Sequence, residues 1–285
     1  MNLLTNWVFW VTVYLISAVL FAQLFKHTNR TMKNPTILTI LLEGLTALSS
    51  LVFIFLFPIK FSTNIITYII LLIVTILYSV VDRLNIEARY GLEPSNFSML
   101  KQLYAVFIII FGIIFMKEKI VLNKILGASL IILANILLAF NKGKFEINKY
   151  FIMSVFANFL FAIAMIINVN ISNEFNIALY TFMTTFIPAI ILFAFNKFKI
   201  KDLKKEFNLY NKKNFVLVAF FWSLMLISSV KAYEYGNIVI VATFLTLTAI
   251  LNAIVELSFD KDRKKFLKKF LVGILIIIGI ILIKK

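Results

Sequence analysis

Five charged residues stand inside, or at the ends of, stretches of the chain that are otherwise apolar. They are Glu43, Lys101, Lys231, Glu234 and Glu256. A lysine or aspartate at the centre of a membrane-spanning helix costs about 2.5–3.5 kcal/mol, so such residues usually face a cavity or a partner of opposite charge. These positions are therefore the first candidates for binding a substrate or an ion.

Lys101 lies in the segment SMLKQLYAVF, residues 98–107. It follows Pro94 by seven residues, which places it about 10 Å into a helix that begins there. Two interpretations are open, because a lysine stem of about 6 Å could carry the ammonium group back to the membrane surface. Ser98, Lys101, Gln102 and Ala105 recur at spacings of three and four, which predicts one small, polar face on this helix. That face favours a cavity.

Glu43 lies in LLEGLTALSS, six residues after Ile37. Its neighbours Gly44, Ala47 and Ser50 indicate close helix packing, so Glu43 is predicted to be neutral in the membrane, to pair with a base, or to carry a coupling proton. A second polar stripe, on the predicted ninth helix, consists of Ala242, Thr246, Ala249, Ala253 and Glu256. Such a stripe serves either a cavity or helix–helix packing.

Aromatic and amide side chains complete the candidate set. Tyr14, Tyr104 and Tyr233 offer stacking surfaces, and Asn158 either faces the cavity or donates a hydrogen bond to another helix. The predicted substrate-binding residues are Lys101, Gln102, Ser98, Tyr104, Tyr14, Asn158, Thr246 and Glu43. A further cluster, Asp82, Arg83, Glu87 and Arg89, is predicted to form ion pairs at the membrane surface, with contact to substrate at a cavity mouth as the alternative.

The composition indicates which kind of structural element positions these residues. The chain has 285 residues, of which 62% are hydrophobic, whereas ordinary soluble domains are about half apolar. The apolar residues come in blocks of roughly 16 to 22, long enough to cross a hydrocarbon layer about 30 Å thick. The sequence therefore predicts an all-α integral membrane protein, multi-pass in the cell membrane, with the lipid bilayer as its main partner.

Several chemistries are excluded by residue type. The chain has no cysteine and a single histidine, His27, so disulfides, thiol chemistry and an ordinary zinc site are excluded. No catalytic residue, metal or cofactor is expected. The net charge of +16 comes from lysines in short loops between apolar blocks. It indicates a membrane surface and a topology signal and not a nucleic-acid partner.

Ten membrane-spanning helices are predicted, with a kink in the seventh at Pro188. Their ranges are Trp7–Phe25, Ile37–Phe57, Ile65–Val81, Phe97–Met116, Ile125–Phe140, Tyr150–Asn168, Ile177–Phe195, Phe215–Val230, Ile238–Val255 and Phe270–Ile283. The fifth and tenth are the shortest and most uniformly aliphatic, which indicates two five-helix halves, residues 1–145 and 146–285. ARYGLEPSNFSMLKQL aligns with YEYGNIVIVATFLTLT at an offset of 145 residues. Because each half has an odd number of helices, the halves are predicted to be inverted repeats.

Lysines and arginines are unequally distributed between the two predicted sides of the membrane. The loops after helices 1, 3, 5, 7 and 9 carry 21 of the 29 lysines and arginines, and the opposite side with both termini carries 6. Since cytoplasmic loops are enriched in lysine and arginine, both termini are predicted to lie outside.

The segment FGIIFMKEKIVLNKILGASLIILANILLAF, residues 111–140, resembles the end of a half-repeat in the drug/metabolite transporter superfamily, EamA type. Glu118 and Gly127 match the turn glutamate and the glycine that opens a short helix in that family. The ten-helix count, the two halves and the length also match. Three features depart from the family pattern. Ala105 stands where the family often has proline, and Arg263 beside Asp262 stands near the place of the second turn glutamate. Members of the family commonly have both termini in the cytoplasm, whereas the charge count here places them outside.

The resemblance implies a secondary transporter, an exporter or exchanger of small polar metabolites by alternating access. It also implies a central cavity lined mostly by helices 1, 3, 4, 6, 8 and 9. Lys101 favours a small-molecule substrate with an anionic group. The alternatives are an integral-membrane enzyme, which the single histidine and the lack of paired aspartates disfavour, and a structural subunit without transport. Helices 5 and 10 could provide a homodimer surface.

Overall fold

The computed structural model describes residues 3–28, 31–115, 121–141, 144–145, 147–167, 171–236, 238–260 and 262–283. Its α-helices are α1 (Trp7–Thr28), α2 (Pro35–Leu51), α3 (Ile65–Gly91), α4 (Pro94–Lys101), α5 (Leu103–Phe115), α6 (Leu122–Ala139), α7 (Lys149–Ile167), α8 (Ile177–Phe195), α9 (Ile200–Phe207), α10 (Lys212–Tyr235), α11 (Ile238–Asp260) and α12 (Arg263–Ile283). Short 3-10 turns cover Leu3–Thr5, Ile54–Leu56 and Ile171–Glu174. Two-residue strands, β1 (Phe140–Asn141) and β2 (Lys144–Phe145), pair antiparallel between α6 and α7.

The prediction of an all-α membrane protein is confirmed at this level. Within the described residues, six segments are long and apolar enough to cross a membrane, namely α1, α3, residues 94–111, α8, α10 and α12. Four shorter apolar helices lie in α2, α6, α7 and α11. Large apolar side chains such as Ile65, Leu72 and Ile76 are exposed on the outer surface of the bundle. A surface of this kind suits contact with lipid.

Asparagine side chains cap the starts of several described helices. The side chain of Asn34 accepts hydrogen bonds from the backbone N–H groups of Thr36 and Ile37 at the start of α2. Asn64, Asn176 and Asn211 act in the same way at α3, α8 and α10. A side-chain oxygen at this position satisfies N–H groups that have no partner within the helix.

Several predicted boundaries were wrong. The second helix ends at Leu51 and not at Phe57, because a 3-10 turn follows it. The third continues ten residues beyond Val81 to Gly91, so Asp82 and Arg89 lie on its last turns. The polar connection 196–214 contains α9. Pro188 lies inside α8, which runs from Ile177 to Phe195 as one helix.

A buried carboxylate holds α9 against the rest of the bundle. Glu206, only 5% exposed, accepts hydrogen bonds from the backbone N–H groups of Lys33 and Asn34 at 2.9 and 3.3 Å. The hydroxyl of Tyr210 donates to the same carboxylate at 2.5 Å. Burial and this contact with Glu206 raise the pKa of Tyr210 well above its usual value.

The helices pack in a small number of strong pairs. α1 lies along α10, α3 along α7, α2 along α8 and α6 along α12, while α4 lies against α11. α6 and α12 approach most closely at two glycines. A methyl group added at Gly279 would lie 2.7 Å from the carbonyl oxygen of Gly127, so the two backbones touch there. Small residues permit such close contact between helices in membranes.

We expect Gly279→Leu to destabilise the protein, because the side chain would force α6 and α12 apart. Overpacking of this kind costs about 1–3 kcal/mol. Gly44→Ala is the matched control, since a methyl group at Gly44 on α2 meets nothing within 4 Å. Thermal unfolding of both variants in detergent, followed by circular dichroism, measures the difference. Equal unfolding temperatures would contradict the contact between α6 and α12.

Candidate functional site

A polar cavity lies between helices of the two sequence halves. It is small, with about 30 Å³ of room for the centres of water-sized molecules, and its lining comes from α1, α3, α4 with the adjoining Gln102, α10 and α11. The lining residues are Tyr14, Ala18, Ala22, Arg89, Phe97, Ser98, Lys101, Gln102, Met225, Thr248 and Asn252. The small residues Ala18 and Ala22 follow Tyr14 at intervals of four, so one face of α1 leaves room for the cavity.

Two cations and one carboxylate set the charge of this cavity. The guanidinium of Arg89 lies between two rings, with its Cζ atom 4.6 Å from the ring centroid of Phe21 and 4.0 Å from that of Phe97. The ammonium of Lys101 lies 5.8 Å from the ring centroid of Phe161. Asp82 is near enough to both cations to interact with each of them. The two cations face the cavity at once, which makes it suited to an anionic group.

The helix that carries Lys101 is interrupted at the cavity. The backbone N–H of Gln102 donates to the carbonyl of Met99, and that of Ala105 donates to the carbonyl of Gln102, both at 3.1 Å and both three residues back. The side-chain amide of Asn158 on α7 donates to the carbonyl of Leu100 at 3.1 Å. Irregular backbone at membrane depth is tolerated where protein or a cavity surrounds it, and it often adjoins a binding site.

Neutral side chains connect the first and second halves across the cavity. The amide of Gln23 on α1 donates to Asn252 Oδ1 on α11 at 2.9 Å. The amide of Asn252 in turn donates to Ser98 Oγ on α4 at 3.1 Å. Hydrogen bonds of this kind hold three helices in register at the level where Lys101 and Arg89 reach the cavity.

An ion-pair network closes the bundle near the start of α4. Lys269 of α12 is 4% exposed and lies 2.5 Å from both Glu93 and Glu256. Lys265 lies 2.5 Å from Glu93, and Glu256 accepts from the backbone N–H and the hydroxyl of Ser95 at 2.8 and 2.5 Å. Burial opposes ionisation of Glu93, but the hydrogen bonds from the two lysines outweigh it and hold its pKa below the usual value.

A second set of contacts closes the opposite end. The amide of Asn176 donates to the carbonyls of Ile54, Phe57 and Pro58 at 3.0–3.2 Å. The carboxylate of Glu174 accepts from the hydroxyl of Thr67 at 2.8 Å and from that of Ser62. Hydrogen bonds from these two hydroxyls lower the pKa of Glu174. Each end of the bundle is thus closed by side chains that join the first half of the chain to the second.

Four of the eight predicted site residues line the cavity, and four do not. Tyr14, Ser98, Lys101 and Gln102 are in the lining. The other four lie outside the lining. The ring of Tyr104 stands edge-on to that of Phe161, and the side-chain amide of Asn158 donates to backbone carbonyls. Thr246 is 5% exposed and Glu43 is fully buried. Glu118 of the resemblance lies outside the described residues.

The polar stripe on the predicted ninth helix serves the second of its two alternatives, helix packing. Ala249 packs in an apolar cluster with Met99 of α4 and Val272 of α12, and Glu256 pairs with Lys269 of α12. This stripe serves helix packing, at least along Ala249, Ala253 and Glu256. The residues of α11 that face the cavity are Thr248 and Asn252.

Thr248 and Asn252 are lining residues that the sequence analysis did not select, and Arg89 was named there only as an alternative contact at a cavity mouth. The signal for Arg89 lay in helical spacing. If the third helix continues to Gly91, then Asp82, Ile86 and Arg89 fall on one face at intervals of four and three, while Arg83 and Glu87 fall on another. Arg83 and Glu87 do pair with each other, and Lys149 lies 3.3 Å from Glu87.

Comparison with known proteins bears on the fold alone. No family model matches the sequence, and no curated protein matches it. Twenty chains of solved structures match. One of them, titled only "Crystal structure of protein", aligns over 96% of this chain and 96% of its own, with a TM-score of 0.54 and 10% identity. The chain is therefore similar in fold, along nearly its whole length, to a protein whose structure has been solved.

Proposed function

We propose that the protein is a secondary transporter, an exporter or exchanger of small polar metabolites that works by alternating access. The observation that carries this proposal is the polar cavity between the two halves, with Arg89 and Lys101 in its lining. A solid bundle would instead have favoured a structural subunit. The cationic lining favours a substrate with an anionic group.

Ten spans arranged as two inverted repeats form part of the same proposal. The six long apolar helices and the four shorter ones together number ten. Each span of one half has a counterpart in the other half, five spans away. When every helix is replaced by its counterpart, the packed pair α1–α10 becomes the pair α7–α3, which is also packed. The pairs α2–α8, α4–α11 and α6–α12 each map onto themselves. Packing that survives this exchange supports a pseudo-twofold relation between the halves.

The contacts at the two ends support alternating access. The Glu93–Glu256–Lys269 network closes one end and the Asn176–Pro58 contact closes the other. Each consists of hydrogen bonds and ion pairs between the halves, which can break and re-form, whereas packed apolar cores resist separation. Transport requires that the two ends open in turn.

Membership of the drug/metabolite transporter superfamily, EamA type, is likewise a proposal. The cavity is lined by five of the six spans that the resemblance implies, corresponding to α1, α3, α4, α10 and α11. Gly127, the matched glycine, lies at the close approach of α6 to α12. These two agreements support the proposal.

The cell membrane is the proposed location, with both termini outside. This orientation rests on the excess of lysine and arginine in the loops after predicted helices 1, 3, 5, 7 and 9. A reporter that is active only in the cytoplasm, fused after Lys285, is expected to stay silent. The same reporter inserted between Lys204 and Lys205 is expected to be active. A bright carboxyl-terminal fusion would reverse the orientation.

Metabolite profiling tests the transport proposal. Culture medium from cells that overproduce the protein is expected to contain an excess of one or a few small polar metabolites, compared with medium from cells that carry the empty vector. Cells that overproduce the Lys205→Met variant serve as the positive control, because Lys205 is an exposed residue of α9. Identical medium from the overproducing and empty-vector cells would contradict export.

A further inference from the structure

We infer that residues 52–61, which connect α2 to α3, are embedded in the membrane at the boundary between lipid headgroups and acyl chains. The segment contacts lipid and not water, although it is not a membrane-spanning helix. Two independent observations carry the inference, namely the apolar side chains that the segment exposes and the pairing of its backbone carbonyls within the protein. The inference does not depend on the proposed transport function.

The exposed side chains of this segment are large and apolar. Phe55, in the 3-10 turn Ile54–Leu56, is 89% exposed, and Ile59 is 64% exposed. The exposed apolar residues of the segment are Val52, Phe55, Leu56, Ile59 and Phe61. So many large apolar side chains on ten residues are unusual for a surface that meets water, and they mark a site of contact with protein or membrane.

The segment continues the apolar outer surface of the two helices that it joins. Leu48 on the last turn of α2 is exposed just before it, and Ile65 and Ile66 on the first turn of α3 are exposed after it. A connection that projects into water is typically built from glycine, proline and short polar residues. Here the exposed apolar surface passes from one helix to the next, so the segment and the helices share one environment.

Backbone carbonyls of the segment are paired inside the protein. The side-chain amide of Asn176 donates to three of them at 3.0–3.2 Å, those of Ile54, Phe57 and Pro58. The backbone N–H of Asn176 donates to the carbonyl of Lys60 at 2.8 Å. Non-helical backbone lies at membrane depth only where protein satisfies its polar groups, whereas carbonyls of a loop in water can bind water. The pairing is therefore what contact with lipid requires.

One side chain of the segment is directed into the bundle. Phe57 is 9% exposed, and its ring centroid lies 5.8 Å from that of Trp10 and 4.8 Å from Lys231 Nζ. Lys231 in turn pairs with Glu234 at 2.6 Å. The segment thus has one face on protein, through Phe57, and another turned away from it, through Phe55. That second face is the one that lipid covers.

Lys60 sets the depth of the segment. This lysine is exposed, and a charged group inside the hydrocarbon layer is costly. Its long stem lets the ammonium group reach the headgroups while the neighbouring Ile59 and Phe61 stay among the acyl chains. The segment accordingly lies at the boundary of the hydrocarbon layer and not at its centre.

Spin-label accessibility tests the inference. The chain has no cysteine, so Phe55→Cys provides a single labelling site in the full-length protein in phosphatidylcholine vesicles. Oxygen concentrates among acyl chains and a nickel chelate stays in water, so the ratio of their collision rates with the label reports contact with lipid. Leu72→Cys on the outer surface of α3 is the control for lipid. Lys205→Cys on exposed α9 is the control for water.

The oxygen-to-nickel ratio at position 55 is expected to be several-fold higher than that at position 205 and to approach that at position 72. A ratio equal to that at position 205 would place the segment in water and overturn the inference. Low collision rates of both reagents at position 55 would show that another protein chain, such as a second copy of this one, covers the segment. That result would also refute contact with lipid.

Asn176→Asp, added to Phe55→Cys, tests the role of the backbone pairing. Aspartate keeps a side-chain oxygen for the N–H groups of Ala178 and Leu179 at the start of α8, but it lacks the amide that donates to the carbonyls of the segment. Those carbonyls then require water, so we expect the oxygen-to-nickel ratio at position 55 to fall. Asn211→Asp, at the cap of α10, is the matched control and is expected to leave the ratio unchanged. An equal ratio in the two variants would contradict the argument from backbone pairing.

Discussion

Lys101→Met is expected to abolish export of the metabolite that the wild-type protein releases. The ammonium group lines the cavity, and a hydrogen bond to a charged partner contributes about 1.5–3 kcal/mol. Its loss therefore corresponds to a substrate affinity lower by about 10- to 100-fold. Lys101→Arg keeps the charge but changes its shape, so we expect it to retain part of the activity.

The Lys101 variants should remain folded. Arg89 keeps its ring contacts with Phe21 and Phe97 when Lys101 is replaced, and methionine fills most of the volume of the lysine stem. Equal expression and an unfolding temperature close to that of the wild type would establish this. Lys205→Met is the matched control for the loss of one positive charge, since Lys205 is exposed on α9. If Lys101→Met exports normally, Lys101 is no part of the site.

Hydrophobic block length predicted the class of protein and the approximate place of each apolar helix. It failed at helix ends, where the deciding interactions are not apolar. The third helix continues past Val81 because Arg83 and Glu87 pair along it and Arg89 packs between two rings. Those polar residues ended the apolar run in the sequence, yet they are satisfied by partners that no local pattern specifies.

The lining of the cavity was only partly predictable, again because local sequence pattern does not specify which helix lies opposite. The spacing of Ser98, Lys101 and Gln102 specified one face of a helix, and that face lines the cavity. The same spacing left two alternatives open for the stripe of α11, because small residues suit close packing as well as a cavity. Which of the two they serve depends on the neighbouring helix, and Ala249 meets α12.

Lys269→Met is expected to cause the largest loss of stability. The ammonium group is buried between Glu93 and Glu256, at 2.5 Å from each. Removing one partner of a buried ion pair costs about 3–5 kcal/mol, because the remaining charge keeps its desolvation penalty without a counterion. Thermal unfolding in detergent measures the loss, and Lys264→Met, an exposed lysine in the same helix, is the control.

The double variant Lys269→Met/Glu256→Gln distinguishes a lost attraction from a stranded charge. Glutamine keeps an oxygen that can accept the hydrogen bond from the N–H of Ser95, and Glu93 keeps Lys265 as its partner. If the cost of Lys269→Met is mainly the uncompensated charge of Glu256, the double variant will be more stable than the single variant. If the loss of stability in the double variant equals the sum of the losses in Lys269→Met and Glu256→Gln measured singly, Lys269 and Glu256 are not coupled. The network then cannot act as a closure between the two halves.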